Sequence, residues 1–74
     1  MPKETLQAAL GMAIRRRREI GNMSQDAMAD FISMHRAYYS AIERGEKNLT
    51  LRILLRVADG LKARISDLIK EAGY

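Results

Sequence analysis

The sequence predicts an all-α fold, a compact bundle of five helices, and three features of its 74 residues support this. Apolar residues recur every three or four positions along five short segments, as they do in amphipathic helices. No segment alternates apolar and polar residues in the manner of a half-buried strand. Proline occurs once, and no linker, repeat or low-complexity tract is present, so we expect a single domain over residues 1–74.

The first two helices are predicted from their apolar spacing and their flanking residues. Apolar residues at four-residue spacing predict a first helix over residues 5–20, ended by Gly21-Asn22. Ser24 is a good N-cap and Asp26 a favourable first-turn residue, so a second helix should follow and end near residue 32. The apolar positions of these two helices are Leu6, Leu10, Ile14, Met28, Phe31 and Ile32.

Three further helices complete the predicted bundle. The third covers about residues 35–44, after a tight turn over 32–34, and Gly45 ends it. Thr50 caps the fourth, whereas the fifth, which begins near residue 65, lacks a good cap at Arg64. The predicted inward positions are Tyr39, Ile42 and Glu43 in the third helix, Leu51, Leu54, Leu55, Ala58 and Leu61 in the fourth, and Ile65, Leu68, Ile69 and Ala72 in the fifth.

Two charged residues continue the apolar faces of their helices. Arg18 follows the stripe of the first helix, and Glu43 follows that of the third. Because a lone charge is costly to bury, either the two side chains pair between the helices or each extends separately to water. A buried pair would serve to fix the angle between the helices more than to stabilise the fold.

The segment over residues 23–45 resembles the helix-turn-helix of the lambdoid phage repressor (Xre) family. The matching residues are Ser24-Gln25, Met28-Ala29, Tyr38, Ser40, Ile42-Glu43 and Gly45. The likeness extends over about residues 10–68 and implies the lambda repressor-like DNA-binding fold, with helices two and three forming the motif at about 24–44. The family also pairs an arginine of helix one with the glutamate of its Glu-x-Gly motif, which implies an Arg18–Glu43 pair here.

Within this family the chain looks most like the controller proteins of restriction–modification systems. The residues that carry this likeness are His35-Arg36-Ala37-Tyr38, Ile42-Glu43-Arg44-Gly45 and Asn48-Leu49-Thr50-Leu51. Three positions depart from the family pattern: Ser33 replaces a turn glycine, Tyr39 an aliphatic residue, and Arg64 a small capping residue. The first two bear on how the third helix is seated.

The resemblance implies a sequence-specific transcriptional regulator that binds duplex DNA as a homodimer on a palindromic or pseudo-palindromic operator. The second helix of such a motif lies in the major groove, with its first residues at base edges. The candidate base contacts are the outward residues Arg36, Ala37, Ser40 and Ala41. Arg36 suits guanine O6 and N7, with a phosphate as its alternative, and Ser40 suits either a base or a phosphate. The two alanines would contact thymine methyl groups or simply provide clearance.

Four flanking residues are candidate contacts to the DNA backbone: Gln25, Tyr38, Lys47 and Asn48. Gln25 begins helix two, where free N–H groups favour a phosphate, or it is an ordinary exposed first-turn residue. Tyr38 contacts the groove edge or a phosphate, or it packs, while Lys47 and Asn48 bind phosphates or remain solvated. The arginine run over residues 15–18 points in four directions along a helix, so it forms no single patch.

Dimerisation is expected because one small motif contacts too few base pairs for useful discrimination. A two-fold dimer contacts two half-sites about one helical turn, roughly 10 bp, apart. The candidate dimer residues are Ile65, Leu68, Ile69 and Tyr74. The alternative is that helix five only closes the core of its own domain. The net charge of +4 agrees with a polyanionic partner.

The composition argues against several other classes. With no cysteine and one histidine, His35, no metal site or nucleophile–base pair can be assembled, so we expect no enzyme, cofactor or small-molecule ligand. No apolar run approaches the roughly 20 residues of a membrane span, and residues 1–10 do not resemble a secretory signal. We therefore expect a cytoplasmic, nucleoid-associated protein. An antitoxin or protein-interaction module built on the same fold is the alternative.

Overall fold

The chain forms five helices connected by short turns and loops. A computed structural model describes residues 5–74, and the first four residues of the predicted domain lie outside the described part. The helices are α1 (Leu6–Ile20), α2 (Gln25–Phe31), α3 (Arg36–Glu43), α4 (Leu51–Gly60) and α5 (Ile65–Glu71). Residues 5–74 contain no strand, so the all-α prediction is confirmed, and the helix bounds lie close to those expected.

Side-chain caps determine where most of the helices begin. The hydroxyls of Thr5, Ser24 and Thr50 each accept a hydrogen bond from the backbone N–H three residues further on, over 3.0–3.1 Å. These bonds satisfy donors that the first turn of a helix leaves free. At the start of α5, the Asp67 carboxylate accepts from the Arg64 backbone N–H over 3.1 Å. Asp67 therefore provides the cap that the Arg64 side chain does not.

One apolar core joins the five helices. Its largest fully buried side chains come from all of them: Ile14, Met28, Tyr39, Ile42, Val57 and Leu68. Tyr39, which replaces an aliphatic residue, is accommodated entirely within this core. Helices α1 and α3 cross very closely at Gly11, because an added Cβ there would lie 2.4 Å from the Glu43 carbonyl oxygen. The missing side chain thus sets the distance between these two helices.

Four apolar residues that were expected to face the core lie on the surface instead. Leu51 is 78% exposed, Phe31 and Leu55 are each more than half exposed, and Leu6 is 39% exposed. Leu6 is the first residue of α1, and the other three lie at an edge of the apolar stripe of their helix. Such an edge is buried only where a neighbouring helix extends over it, and α2 and α4 are each covered on a narrower face. The predicted stripes were therefore too wide at these positions.

Candidate nucleic-acid interface

The turn between α2 and α3 sets the position of the third helix. Its central residue, Ser33, adopts a left-handed backbone with φ of 55°. The Met34 N–H donates to the Ala29 carbonyl over 2.8 Å, which closes the end of α2. Arg56 of α4 donates from Nε to the Ile32 carbonyl over 2.7 Å and from Nη2 to that of Ser33. The turn is thereby held by the core helices as well as by its own backbone.

Arg56 is a supporting residue that the sequence analysis missed. Carbonyl groups at the end of a helix lack partners within that helix, so a basic side chain nearby is a reasonable partner for them. The sequence indicates that the carbonyl groups at the end of α2 need partners, but it does not identify Arg56, which lies more than twenty positions from the turn. Only the packing of α4 beside α2 makes the contact evident.

The predicted Arg18–Glu43 ion pair is confirmed. The Arg18 guanidinium donates from Nε to Oε2 over 2.6 Å and from Nη2 to Oε1 over 3.1 Å. Its Nη1 donates to the Met23 carbonyl over 2.8 Å. The side chains are only 10% and 2% exposed, so they do not extend separately to water. The pair links α1 to the end of α3 and restrains the angle at which α3 is presented.

Ionisation of this pair is favoured by its surroundings. Burial would raise the pKa of the Glu43 carboxyl, but hydrogen bonds from Arg18 and Gln25 and the positive charge of Arg18 hold that pKa below its ordinary value. Hydrogen bonding to Glu43 outweighs burial at Arg18 and raises the pKa of the guanidinium. Burial, and then the nearby carboxylate, raise the pKa of Tyr39. Glu43 is therefore a carboxylate and Tyr39 a neutral phenol at physiological pH.

Gln25 and Ser40 extend this pair to the exposed side of α3. The Gln25 Nε2 donates to Glu43 Oε1 over 2.9 Å, and the Ser40 hydroxyl donates to Gln25 Oε1 over 2.7 Å. The Gln25 amide, expected to lie free at the start of α2, is thus bonded on both its nitrogen and its oxygen. Ser40 is half-buried and is oriented by Gln25. Both remain predicted DNA contacts, now with defined partners inside the protein.

Four other predicted DNA contacts also have partners within the protein: Arg36, Tyr38, Lys47 and Asn48. Ala37 is exposed, and Arg36 is exposed and forms an ion pair with Asp26 of α2, with 2.9 Å between Nε and Oδ1. The Lys47 Nζ lies 5.3 Å from the centroid of the half-buried Tyr38 ring, a cation–π contact. Asn48 accepts a hydrogen bond from the Gln7 side chain of α1. Arg36, Ala37 and Tyr38 are thus the first three residues of α3, and Lys47, in the loop after that helix, contacts Tyr38.

Ala41 is a correction to the predicted interface. It is only 6% exposed and belongs to the core, so it cannot contact a base as its expected outward position implied. Ala41 lies beside the buried Ile42, so the side of α3 that faces the core is wider than its apolar spacing indicated. After the helix, the Glu46 N–H donates to the Ala41 carbonyl over 2.9 Å and closes the end of α3. The exposed side of α3 is therefore narrower than predicted.

Leu68 corrects the predicted dimer surface. It is fully buried in the core, so it is not available to a partner, whereas Ile65 and Ile69 are half-buried and Tyr74 is about half exposed. Ile69 lines a shallow apolar groove together with Leu6, Leu49 and Leu51. The exposed part of α4 therefore lies next to part of α5, a neighbourhood that helix periodicity alone did not indicate.

The arginine run divides as the helix geometry requires, and its members have different partners. Arg18 turns inward, while Arg15 pairs with Glu19 on the surface of α1 over 3.3 Å. Arg17 pairs with Glu71, and Arg16 donates to the Glu71 carbonyl over 3.3 Å. Arg16 and Arg17 thus tie the end of α5 to α1.

Other kinds of site receive no support in the described part of the chain. Within residues 5–74, no group of three or more histidine, cysteine or acidic side chains is arranged to hold a metal ion. None of the five helices combines the length and the apolar character needed to cross a membrane. The polar surface around α3 is the feature that remains.

Comparison with known proteins agrees with this geometry. A family model described as helix-turn-helix matches residues 14–68. The control protein C.SmaI of Serratia marcescens is 35% identical over 60 residues, which cover 81% of this chain and 71% of that protein. The clp gene regulator ClgR of Corynebacterium glutamicum has a TM-score of 0.93 at 30% identity, covering 97% of this chain and 92% of that one. The restriction–modification controller protein C.Esp1396I, solved as a tetramer with its natural 35 base-pair operator, has a TM-score of 0.82 at 29% identity over 96% and 99% of the two chains.

Proposed function

Because the chain belongs to the Xre-like helix-turn-helix family and is similar to restriction–modification controller proteins, we propose that it is a sequence-specific DNA-binding regulator of transcription. It acts as the controller of a restriction–modification system, in the cytoplasm at the nucleoid. The observation that carries this proposal is the exposed pair Arg36 and Ala37 on the first turn of α3, the second helix of the motif. The Arg18–Glu43 pair behind α3 gives that turn a defined orientation.

In the proposed complex α3 enters the major groove with its first turn toward the base edges. Arg36 donates two hydrogen bonds to guanine O6 and N7, and Ala37 contacts a thymine methyl group. Ser40, one helical turn further on, contacts a base or a neighbouring phosphate. The sugar–phosphate backbone is contacted by Gln25 at the start of α2, by Tyr38 on α3, and by Lys47 and Asn48 in the loop after α3. Base contacts set the sequence preference, and backbone contacts set affinity and its salt dependence.

The protein binds as a homodimer on a palindromic or pseudo-palindromic operator. A two-fold dimer places two copies of α3 about one helical turn of DNA apart, which doubles the sequence that is contacted. The groove lined by Leu6, Leu49, Leu51 and Ile69 supports this, because it joins the exposed Leu6 and Leu51 to the half-buried Leu49 and Ile69. Burying Leu51, which is 78% exposed, against a second copy removes apolar area from water. Ile65 and Tyr74 extend the proposed surface along α5.

A mobility-shift titration on the DNA upstream of the protein's own gene tests the proposal. The wild type and Arg36→Ala are compared at two salt concentrations, with excess non-specific competitor. Arg15→Ala is the matched control, because it removes the same charge from an exposed position on α1. We expect Arg36→Ala to lose about 1–3 kcal/mol of discrimination against a wrong base pair, and Arg15→Ala to keep it. Weak wild-type binding that is equal on all sequences would contradict the proposal and favour an antitoxin or protein-interaction module.

Sedimentation equilibrium tests the dimer surface separately. Leu51→Glu places a charge in the groove and should give a folded monomer that binds the full operator far more weakly. Ile20→Glu is the control, since Ile20 is 81% exposed at the end of α1 and does not line the groove. If Leu51→Glu sediments as the wild-type dimer does, the groove is not the interface.

A further inference from the structure

An ion pair spans the two helices of the motif at the place where bases are contacted. Asp26 lies on the first turn of α2 and Arg36 on the first turn of α3, with 2.9 Å between Arg36 Nε and Asp26 Oδ1. The side chains are 65% and 68% exposed, so the pair lies at the surface. Both helices contribute to the core, and their turn is held by Arg56. The two side chains are therefore carried by backbones whose separation is fixed.

Stability does not explain this pair. Exposed ion pairs contribute little, because solvent and salt screen the attraction and two long side chains lose rotamer freedom. The contact between Asp26 and Arg36 is better explained by its effect on the orientation of the Arg36 guanidinium. Contact at Nε restricts where the Arg36 side chain can lie. Guanine O6 and N7 need two parallel donors, and the guanidinium provides them when it is held in one orientation.

We propose that Asp26 is a positioning residue for base recognition, which holds the Arg36 guanidinium ready for guanine and thereby raises the specificity of the protein for its operator. The proposal rests on the proposed function and names a determinant that does not itself contact DNA. A side chain that is already ordered loses less conformational entropy on binding the correct base. The carboxylate thus acts before the complex forms.

The charge of Asp26 contributes to specificity in a second way. Arg36 without Asp26 is a flexible cation, and it can contact any phosphate regardless of sequence. The pair of Arg36 and Asp26 carries no net charge, and the carboxylate is itself repelled by the DNA backbone. The pair therefore weakens non-specific binding more than specific binding. In the specific complex, hydrogen bonds to the guanine acceptors compensate for the weaker attraction to phosphates.

A second contact in the motif has the same arrangement. Gln25, beside Asp26 on the first turn of α2, accepts a hydrogen bond from Ser40, one helical turn beyond Arg36. Two successive turns on the exposed side of α3 are thus supported by two adjacent residues of α2. The first turn of α2 serves as a scaffold for the side chains proposed to face DNA.

Binding measurements on Asp26→Ala test the proposal, with Asp30→Ala as the control. Asp30→Ala removes the same charge from an exposed position one turn along α2, and Asp30 forms no ion pair within residues 5–74. Each variant is titrated against the operator, an operator with single base-pair changes, and unrelated DNA. For Asp26→Ala we expect a two- to five-fold loss of discrimination, of about the size of an exposed ion pair, at the base pair that Arg36 contacts. We also expect tighter binding to unrelated DNA and a salt slope steeper by about 1.

The outcomes separate this inference from the proposed function. Asp26→Glu should regain most of the discrimination, and Asp26→Ala should have no further effect on discrimination in an Arg36→Ala background. If wild type discriminates and Arg36→Ala does not, but Asp26→Ala behaves as Asp30→Ala does, the role of Asp26 is overturned and the proposed function stands. If wild type itself does not discriminate, both fail. Thermal unfolding of each variant verifies that the fold is retained.

Discussion

Arg18 donates to both carboxylate oxygens of Glu43, and the two side chains lie almost entirely out of water between α1 and α3. The pair joins α1 to the end of α3, the helix proposed to enter the major groove. Most hydrogen-bonding groups of the pair have partners. Gln25 donates to one carboxylate oxygen, and the Met23 carbonyl accepts from Nη1 of the guanidinium. Few hydrogen-bonding groups of the pair are therefore buried without a partner, which keeps the desolvation cost of the pair low.

Glu43→Ala should destabilise the protein by about 3–5 kcal/mol, because it leaves Arg18 charged, buried and unpaired. Urea denaturation followed by circular dichroism measures the effect. Glu46→Ala is the control: Glu46 pairs with Arg44 at the surface and should cost less than about 1 kcal/mol. Equal stability of Glu43→Ala and wild type would contradict a structural role for the pair.

The pair should also make stability depend on pH in the acid range. The folded-state pKa of Glu43 lies below its ordinary value of 4.5, so the stabilisation is fully present above that value. It is lost as pH falls through the lowered pKa, since the carboxylate must then be protonated. We expect the thermal midpoint of wild type to fall more steeply below pH 4.5 than that of Glu43→Gln. Parallel curves for the two proteins would show that Glu43 does not carry this dependence.

Tyr39→Phe should leave stability unchanged or raise it by up to about 1 kcal/mol. The Tyr39 ring is fully buried, and its hydroxyl has no partner in hydrogen-bonding geometry among residues 5–74. Removing an unsatisfied buried hydroxyl removes its desolvation cost and leaves the ring packing intact. Tyr38→Phe, at a half-buried position, should change stability by less than about 0.5 kcal/mol. A clear loss of stability in Tyr39→Phe would indicate that the hydroxyl is bonded to Glu43 in solution.

Ser33→Gly should stabilise the protein by about 0.5–1 kcal/mol, because Ser33 has a left-handed backbone that costs less for glycine. The contacts of Arg56 are to backbone carbonyls and are retained. Ser66→Gly is the control for the direction of the stability change. Ser66 lies within α5, where glycine should destabilise the protein by a similar amount. Chemical denaturation of the two variants should thus shift in opposite directions, and a shift in the same direction would refute the assignment of strain to Ser33.

Gly11→Ala should destabilise the protein by about 1–3 kcal/mol or more. A Cβ at Gly11 would lie 2.4 Å from the Glu43 carbonyl oxygen, so α1 and α3 would have to separate. Gly21→Ala is the matched control, because its Cβ would meet nothing closer than 3.5 Å and its φ is −79°. Differential scanning calorimetry should show a lower midpoint for the first variant only. If both midpoints are equal, the crossing of α1 and α3 adapts more easily than the structure implies.

The sequence by itself determined the properties that belong to one helix at a time. Thr5, Ser24 and Thr50 were expected to stand at helix starts, and each does, because a cap bonds only to the next three residues. The apolar stripes that Arg18 and Glu43 continue left two outcomes open, a buried pair or separate extension to water, and the family resemblance implied the pair that forms. Local spacing was sufficient for the caps, whereas the ion pair also needed the resemblance to a known family.

Tertiary structure decided which edges of those helices are covered. Leu68 is in the core and Leu51 on the surface, although both continue an apolar stripe, because burial depends on where the other helices lie. Ala41 is buried beside Ile42 on the side of α3 that faces the core, and Arg36 pairs with Asp26 from another helix. These relationships join residues far apart in sequence or on separate elements. The period of a single helix carries no information about its neighbours, so packing alone settles them.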